Sequence, residues 1–284
     1  MSAIQNVSDT AIWVAYYRAL ESERPDALFF DPFAKKLVGE RGRIIAETLK
    51  ETAKYTQSTI VLRTWIIDRY IEKLVAEGVD TVINLGAGLD TRPYRLDLPS
   101  SLKWVEVDYP HMIEYKEEML RAEKPRINLE RIALDLTKRP ERQKLLARLS
   151  RESRKALILT EGVIPYLDEE QVASLADDLR EHPAFAFWIA EYTAPTLYRF
   201  FRHPRRVKEM RNAPFKFYPP DWFGFFRTHG WEKSEVRFMW EESAKLNRAM
   251  PLPWWVHLLK LFMSKKVADQ ARRQFGYVVF RPAR

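Results

Sequence analysis

The spacing of apolar residues changes in character about a quarter of the way along the chain. Apolar side chains recur at helical spacing over residues 7–22 and again over residues 57–77. A stripe with this period is typical of an amphipathic α-helix. Between the two stripes, LFFDPFAKKLVGERG is expected to form a loop followed by a short helix. Residues 1–78 are therefore predicted to form a mainly helical N-terminal extension.

From residue 79 onward, short apolar runs rich in β-formers alternate with polar or helical segments. The predicted strands lie at 81–85, 104–108, 131–135, 156–161, 185–190, 235–240 and 276–281. Strands that alternate with helices indicate a parallel sheet covered by helices on both faces. The pattern thus predicts an α/β fold with a seven-stranded, mostly parallel sheet in residues 79–284.

Two segments interrupt this alternation. Residues 192–230 are rich in proline, aromatic residues and arginine, and residues 250–266 contain the apolar sequence PLPWWVHLLKLFM. We interpret both as partly helical insertions into the core, because insertions at one end of an open α/β sheet tend to cover the ligand crevice. The basic cluster 199–211 is interpreted as a solvated helix face, with recognition of an anionic substrate as the alternative.

The composition and charge of the chain exclude several kinds of site and segment. The 284 residues carry a formal net charge of +8 and no cysteine, which excludes disulfides and thiolate metal sites. The N-terminus lacks the pattern of a secretory signal, and no apolar run is long enough to span a membrane. We expect a cytoplasmic protein. No nucleic-acid partner is predicted, since basic charge without an RNA-binding module is a weak indication. Peripheral membrane contact through WWVHLLKLFM is a less favoured alternative to a lid helix.

Glycine or an acid follows each of four predicted strands. Gly86 and Gly88 follow the first, Asp108 the second, Asp135 the third and Glu161 the fourth. In open α/β sheets the ligand binds outside the carboxyl ends of the strands. Glycines allow close backbone approach, an acid about 20 residues further on can accept ribose hydroxyls, and the later acids suit an exocyclic amine and an ammonium group. This set fits S-adenosylmethionine.

The same residues permit structural interpretations. A dinucleotide loop would have a third glycine at position 91, where this chain has Thr91, so NAD fits less well. Asp90 and Thr91 are expected to cap a short helix that begins near Pro93. Asp108 and Asp135 could each be a plain helix cap. Because a glycine or an acid follows all four strands, the ligand-binding interpretation is favoured.

Several longer segments resemble the leucine carboxyl methyltransferase family, in particular its bacterial S-adenosylmethionine-dependent O-methyltransferases. They are VSDTAIWVAYYRALES, LFFDPFAKKLVG, LRTWIID, INLGAGLDTRPYRL, VEVDYPHMIEYK, LDLTK and LTEGVIPYLDEEQV, in order over residues 7–172. The resemblance implies a class I methyltransferase core with a Rossmann-like sheet and a substrate lid. Asn84 departs from the pattern, because many class I enzymes have an acid there.

The resemblance also implies site roles. Arg63 would hold the cofactor carboxylate, Gly86, Gly88 and Asp90 would surround its methionine part, Asp108 would bind the ribose, Asp135 and Leu136 the adenine, and Glu161 the amino group. A carboxylate acceptor needs no base, whereas a phenol must lose its proton. The five histidines are interpreted as surface or structural residues, and no metal site is predicted.

Arg92 and Tyr166 are the catalytic candidates, since both are expected near the methyl-transfer region. Arg92 would pair with an acceptor carboxylate or form a salt bridge within its loop. We expect an O-methyltransferase that acts on a carboxylate or hydroxyl of a small aromatic or apolar molecule, polyketides among them. The alternatives are a protein C-terminal carboxyl methyltransferase, a non-catalytic cofactor-binding protein and a nicotinamide oxidoreductase. The sequence does not predict an oligomeric state.

Overall fold

Three helices precede the first strand. The computed structural model describes residues 7–48, 53–248, 250–251 and 264–283. Within them, α1 (Val7–Ser22), α2 (Ala34–Thr48) and α3 (Ala53–Ala76) come first, and α2 is kinked at Gly39. The predicted helix over 7–22 is confirmed, and the one predicted over 57–77 begins earlier, at Ala53.

The described residues contain one seven-stranded sheet. Its strands are β1 (Thr81–Leu85), β2 (Lys103–Asp108), β3 (Asn128–Ala133), β4 (Ala156–Thr160), β5 (Phe185–Thr193), β6 (Trp231–Phe238) and β7 (Phe275–Pro282). They lie in the order β3-β2-β1-β4-β5-β7-β6. β1 to β5 are parallel, and β7 runs antiparallel to both of its neighbours. The predicted fold class, a mostly parallel seven-stranded sheet, is confirmed.

The predicted bounds of three strands are wrong. β5 ends at Thr193 rather than at residue 190, and β3 begins at Asn128 rather than at residue 131. β3 ends at Ala133 rather than at residue 135, because the Asp135 side chain accepts a hydrogen bond from the Thr137 N–H and starts a turn. β6 begins at Trp231 rather than at 235. β6 is an edge strand, and the polar residues near its start face solvent. The start of β6 therefore lacks the continuous apolar run from which the buried strands were predicted.

Helices cover both faces of the sheet. The remaining ones outside the insertion are α4 (Arg92–Arg95), α5 (Pro110–Met119), α6 (Arg139–Glu152), α7 (Glu169–Arg180), α11 (Met239–Lys245) and α12 (Lys265–Arg272). α6 and α7 bury leucines against one face, whereas α3 packs on the other. These two apolar layers hold the sheet in place between the helices and so determine where its strand ends lie. None of the described helices has the length and hydropathy needed to cross a membrane.

The first predicted insertion, 192–230, leaves the sheet at the end of β5 and is helical in part. It contains α8 (Tyr198–Phe201), α9 (Pro204–Glu209) and α10 (Trp222–Thr228). α10 anchors the insertion, because the Trp222 and Phe226 rings pack against Phe280 of β7. Most of the second predicted insertion, 252–263, lies outside the described residues.

Candidate active site

A cavity of about 490 Å³ lies at the carboxyl ends of β1, β2, β4 and β5. Its floor is formed by the loops that follow these strands, and its walls by α1, α3 and the insertion after β5. The predicted residues Arg63, Gly86, Gly88, Asp90, Asp108, Leu136, Glu161 and Tyr166 all line it. The parallel sheet thus brings together residues that are spread over about a hundred positions of the sequence.

The turn after β1 requires glycine at position 86. Gly86 has a φ of 73°, and a Cβ built there would lie 2.4 Å from Cγ2 of Val163. Both the left-handed backbone and the packing therefore exclude a larger residue. Two residues on, the Gly88 N–H donates to Oδ2 of Asp108 at 2.6 Å, which ties the glycine turn to the end of β2.

Asp108 is buried at the end of β2 and lines the cavity. Its Oδ1 accepts from the N–H of Tyr109 at 2.7 Å, in addition to the bond from Gly88 to Oδ2. Burial raises the pKa of Asp108, and the two N–H groups offset part of that rise. Because each carboxylate oxygen can accept more than one hydrogen bond, Asp108 can still accept from hydroxyl groups of a ligand.

The loop after β3 presents Leu136, not Asp135, to the cavity. Leu134, Leu136 and Thr137 line it, whereas Asp135 lies outside the lining. Oδ1 of Asp135 accepts from both the N–H and the Oγ1 hydroxyl of Thr137, at 2.9 and 2.8 Å. Asp135 therefore stabilises a turn before α6, and the helix-cap role considered for it is wrong, because Lys138 occupies the N-cap position of α6. The predicted contact of Asp135 with an adenine amine remains a prediction.

Asp90 and Thr91 differ in their capping roles. Oδ1 of Asp90 accepts from the N–H of Arg92 at 2.9 Å, which supports the start of α4. Thr91 occupies the N-cap position without a side-chain cap bond, so its predicted capping role is wrong. Its hydroxyl instead donates to Oδ2 of Asp31 at 2.6 Å, because the segment between α1 and α2 packs against the loop.

Asn84 has a clear partner in this chain. Its Nδ2 donates to Oδ2 of Asp90 at 2.8 Å, and both side chains are buried. A carboxylate at position 84 would face the Asp90 carboxylate at hydrogen-bond distance. The amide therefore suits a site in which Asp90 is already charged, and it explains the departure seen in the sequence.

Arg63 and Glu161 face each other at the cavity wall. Nε of Arg63 donates to Oε1 of Glu161 at 2.5 Å, and the guanidinium lies over Gly162, 3.4 Å from where a Cβ would stand. Nη1 and Nη2 of Arg63 make no hydrogen bond to the described residues. These two donors have the geometry to hold a ligand carboxylate through two parallel hydrogen bonds.

Arg92 lies beneath the cavity and does not line it. Its side chain is 1% exposed, and it binds Asp68 at 2.7 Å, Asp90 at 2.8 Å and Oε2 of Glu161 at 2.6 Å. The structure thus shows the predicted salt bridge within the loop, to Asp90, and adds Asp68 of α3 and Glu161 after β4 as partners. It does not support the expectation that Arg92 contacts an acceptor carboxylate, because three buried carboxylates already surround the guanidinium.

These ion pairs set the charge of Glu161. Burial alone would raise its pKa, but the guanidinium groups of Arg63 and Arg92 outweigh burial and hold the pKa of Glu161 well below its usual range. Glu161 is therefore a fixed anion. It can accept a hydrogen bond from a ligand ammonium.

Tyr166 lies in an aromatic part of the wall. It ends a 3₁₀ turn, Ile164–Tyr166, and its ring meets Phe215 of the insertion edge-on with centroids 5.3 Å apart. The aromatic lining includes Tyr166, Tyr198, Phe201, Phe215, Phe217 and Trp222. A cavity lined by charged residues at the strand ends and by aromatic rings of the insertion suits two ligands, one polar and one apolar.

Sequence reasoning missed two acidic residues here. Asp68 of α3 accepts from both Arg92 and Arg95, and Glu191 of β5 lines the cavity. A signal for each was present in the sequence. Asp68 interrupts an apolar helical stripe, and Glu191 directly follows the fifth apolar run, as Glu161 ends the fourth.

Comparison with known sequences identifies relatives over most of the chain. A family profile described as leucine carboxyl methyltransferase matches residues 11–180. A protein of Streptomyces coelicolor, named a candidate S-adenosyl-L-methionine-dependent methyltransferase, is 31% identical over 79% of this chain and 83% of its own length. A protein of Frankia alni with the same description is 30% identical over 86% of this chain and 90% of its own.

Comparison with solved structures supports the fold. A DUF574 family protein from Streptomyces avermitilis covers 96% of this chain and 97% of its own, with a TM-score of 0.59 and 14% identity. A candidate methyltransferase from Thermobifida fusca covers 88% of this chain and 93% of its own, with a TM-score of 0.57 and 17% identity. At this level of identity the likeness concerns the fold alone.

Proposed function

The chain belongs to the leucine carboxyl methyltransferase family, and from this premise we propose that this S-adenosylmethionine-dependent methyltransferase methylates an oxygen atom of a small aromatic or apolar molecule. The observation that carries the proposal is the division of one cavity into two parts. Glu161, Arg63 and Asp108 bring charge to one part, and aromatic rings from the insertion line the other. The first part suits the methyl donor and the second the acceptor.

The residues of the charged part fit S-adenosylmethionine. Nη1 and Nη2 of Arg63 would bind its carboxylate and Glu161 its ammonium, because both groups face the cavity beside Gly162. Asp108 would accept from the ribose hydroxyls, and Leu136 would pack against the adenine. Arg92 would act as a positioning residue, since its bond to Glu161 holds the carboxylate that receives the ammonium.

The bound sulfonium supplies an electrophilic methyl group, so the chain mainly has to align the acceptor oxygen with it. Alignment of this kind contributes up to about 7–11 kcal/mol to a bimolecular reaction. The rings of Tyr166, Phe215 and their neighbours would hold a flat apolar acceptor by face and edge contacts. A small acceptor is favoured over a protein C-terminus, because the insertion walls this part of the cavity.

Calorimetry with S-adenosylmethionine and S-adenosylhomocysteine tests the donor site. We expect micromolar binding by the wild-type protein and at least tenfold weaker binding by Asp108→Ala and by Arg63→Ala. Arg69→Ala is the matched control, because Arg69 lies on the same helix and pairs with Glu72 at the surface. Absence of binding by the wild-type protein would contradict the proposed function. Normal binding by both site variants would contradict the assignment of residues.

Mass spectrometry tests the acceptor class. The protein is incubated with a cell extract and with S-adenosylmethionine that carries a deuterated methyl group. We expect labelled small molecules with the methyl group on oxygen. If the label appears instead on the C-terminal carboxylate of a protein, the acceptor proposed here is wrong, although the donor site would stand.

A further inference from the structure

Glu191 is a buried carboxylate at the carboxyl end of β5. Its neighbours in the sheet are Tyr277 of β7, with which it is in register, and the end of β4, where Thr160 pairs with Ala190. Glu191 lines the cavity although it is only 4% exposed. It therefore lies one strand beyond Glu161, on the side where β5 leads into the aromatic insertion.

Neither carboxylate oxygen of Glu191 makes a hydrogen bond of normal geometry to the described residues, although the backbone N–H groups of Glu191 and Gly162 lie close enough to act on its charge. Burial of an unpaired polar group opposes folding, and such groups are rare in native proteins. The charged or titratable groups that face Glu191 are Arg63 of α3, Glu161 after β4 and Tyr277 of β7. The Nε–H of Arg63 donates to Glu161. The guanidinium nearest Glu191 is therefore already paired with another carboxylate.

This environment changes the acidity of Glu191. Burial raises its pKa to about 7, against partial offsets from the N–H groups of Glu191 and Gly162 and from Arg63. At neutral pH the carboxyl group therefore exists in both protonation states. A general base works best when its pKa lies near the working pH.

We propose that Glu191 is the general base of this active site and that the acceptor is a hydroxyl of the phenol class rather than a carboxylate. The inference rests on the proposed function, because Glu191 lies beside the donor residues Arg63 and Glu161, on the strand that leads into the insertion of the same cavity. It explains why the strand end next to Glu161 carries a second buried acid that makes no hydrogen bond of normal geometry to the described residues. A carboxylate acceptor would be repelled by an ionised Glu191 and would not need it.

The proton and electron transfers balance without a further reactant. The hydroxyl proton of the acceptor passes to a carboxylate oxygen of Glu191, and a lone pair of the acceptor oxygen forms the new bond to the methyl carbon. The C–S bond of the donor breaks, and its electron pair remains on sulfur as a neutral thioether. Glu191 later returns its proton to water.

The test pairs acceptors that share a ring system and differ in the oxygen group: 2-naphthol with 2-naphthoic acid, and 4-phenylphenol with biphenyl-4-carboxylic acid. We expect methyl transfer to the phenols and none to the acids. Glu191→Gln should lower kcat on the phenols at least about 100-fold, the lower end of general-base contributions, and leave the calorimetric Kd for S-adenosylmethionine within twofold. Glu170→Gln, an exposed residue of α7, is the matched control.

A second readout is the pH dependence of the rate. In the wild-type protein, kcat/KM on a phenol should rise through a single ionisation near pH 7 and then level off. In Glu191→Gln that ionisation should be absent, and Glu191→Asp should recover part of the rate. A merely structural role would not remove the ionisation from the profile.

Three results would overturn the inference: a Glu191→Gln variant with kcat within tenfold of wild type and an unchanged pH profile, transfer to the carboxylic acids, or no transfer to any phenol while the donor is bound. A Kd for S-adenosylmethionine that rises tenfold or more in Glu191→Gln would assign Glu191 to the donor ammonium instead. If the wild-type protein does not bind S-adenosylmethionine at all, the proposed function fails first, and calorimetry separates that case.

Discussion

Glu161 and Glu191 stand at the ends of neighbouring parallel strands, the first partly and the second fully buried, yet their pKa values shift in opposite directions. Glu161 is enclosed by Arg63 and Arg92, and its pKa is held well below the usual range. Glu191 has no such pair among the described residues, and burial raises its pKa to about 7. A buried acid is thus a permanent anion or a proton acceptor according to whether guanidinium groups accompany it. Three variants test this difference between the two acids and their surroundings.

Arg92→Ala should have the largest effect, because it removes the shared partner of Asp68, Asp90 and Glu161. Removal of one member of a buried ion-pair network destabilises a protein by about 3–5 kcal/mol. We expect a loss of this size in the free energy of unfolding measured with urea at pH 7.5. Arg69→Ala, at the surface of α3, should change it by less than about 1 kcal/mol. Equal effects of the two variants would show that the network is not the source of the contrast.

Glu191→Gln should stabilise the protein above pH 7. The folded protein holds the Glu191 proton more tightly than the unfolded chain, so wild-type stability is lost as pH rises from about 4.5 to about 7. Glutamine does not ionise and escapes this loss. Relative to wild type, the gain should reach about 3 kcal/mol at pH 8 and vanish by about pH 4.

Urea unfolding of the two proteins over this pH range provides the measurement, and it needs neither donor nor acceptor. Glu170→Gln should show no such pH-dependent difference from wild type. A constant difference at all pH values would mean that Glu191 has an ordinary pKa in the folded protein.

Asn84→Asp should have a smaller effect, in the opposite direction. It places a second carboxylate against Oδ2 of Asp90, where Nδ2 now donates. A buried acceptor that loses its donor costs about 1–3 kcal/mol, and the loss should lessen at low pH, where the introduced carboxyl group is protonated and can donate again. Asn84→Ala, which removes the donor without adding charge, is the control. If Asn84→Asp is no less stable than Asn84→Ala at pH 8, Arg92 can neutralise a further acid.

The sequence predicted the fold better than the directions in which side chains point. Alternating strands and helices are enough for the parallel sheet and for the position of Asp108, because a strand end has one place in such a sheet. The cofactor-binding role of Arg63 was predicted only from the family resemblance, since no local sequence pattern distinguishes an arginine of this kind on a helix. The choice between the two roles considered for Arg92 could not be made from the sequence, because the direction of its side chain depends on Asp68, which reaches it from another element. Glu191 was predictable by the rule applied to four strands, had it been extended to the fifth.

The contacts that α1 and the segment after it make with the glycine loop have a consequence for folding kinetics. Nη2 of Arg18 donates to the carbonyl of Leu89 across 71 positions of sequence, and Thr91 reaches Asp31 across 60. Contacts of such separation require a large loop to close, as do the pairs between β1 and β4, where Thr81 and Ala156 are 75 positions apart. We therefore expect the cofactor loop to gain its final shape together with the sheet and not before it. Binding competence would then appear only with the fully folded chain.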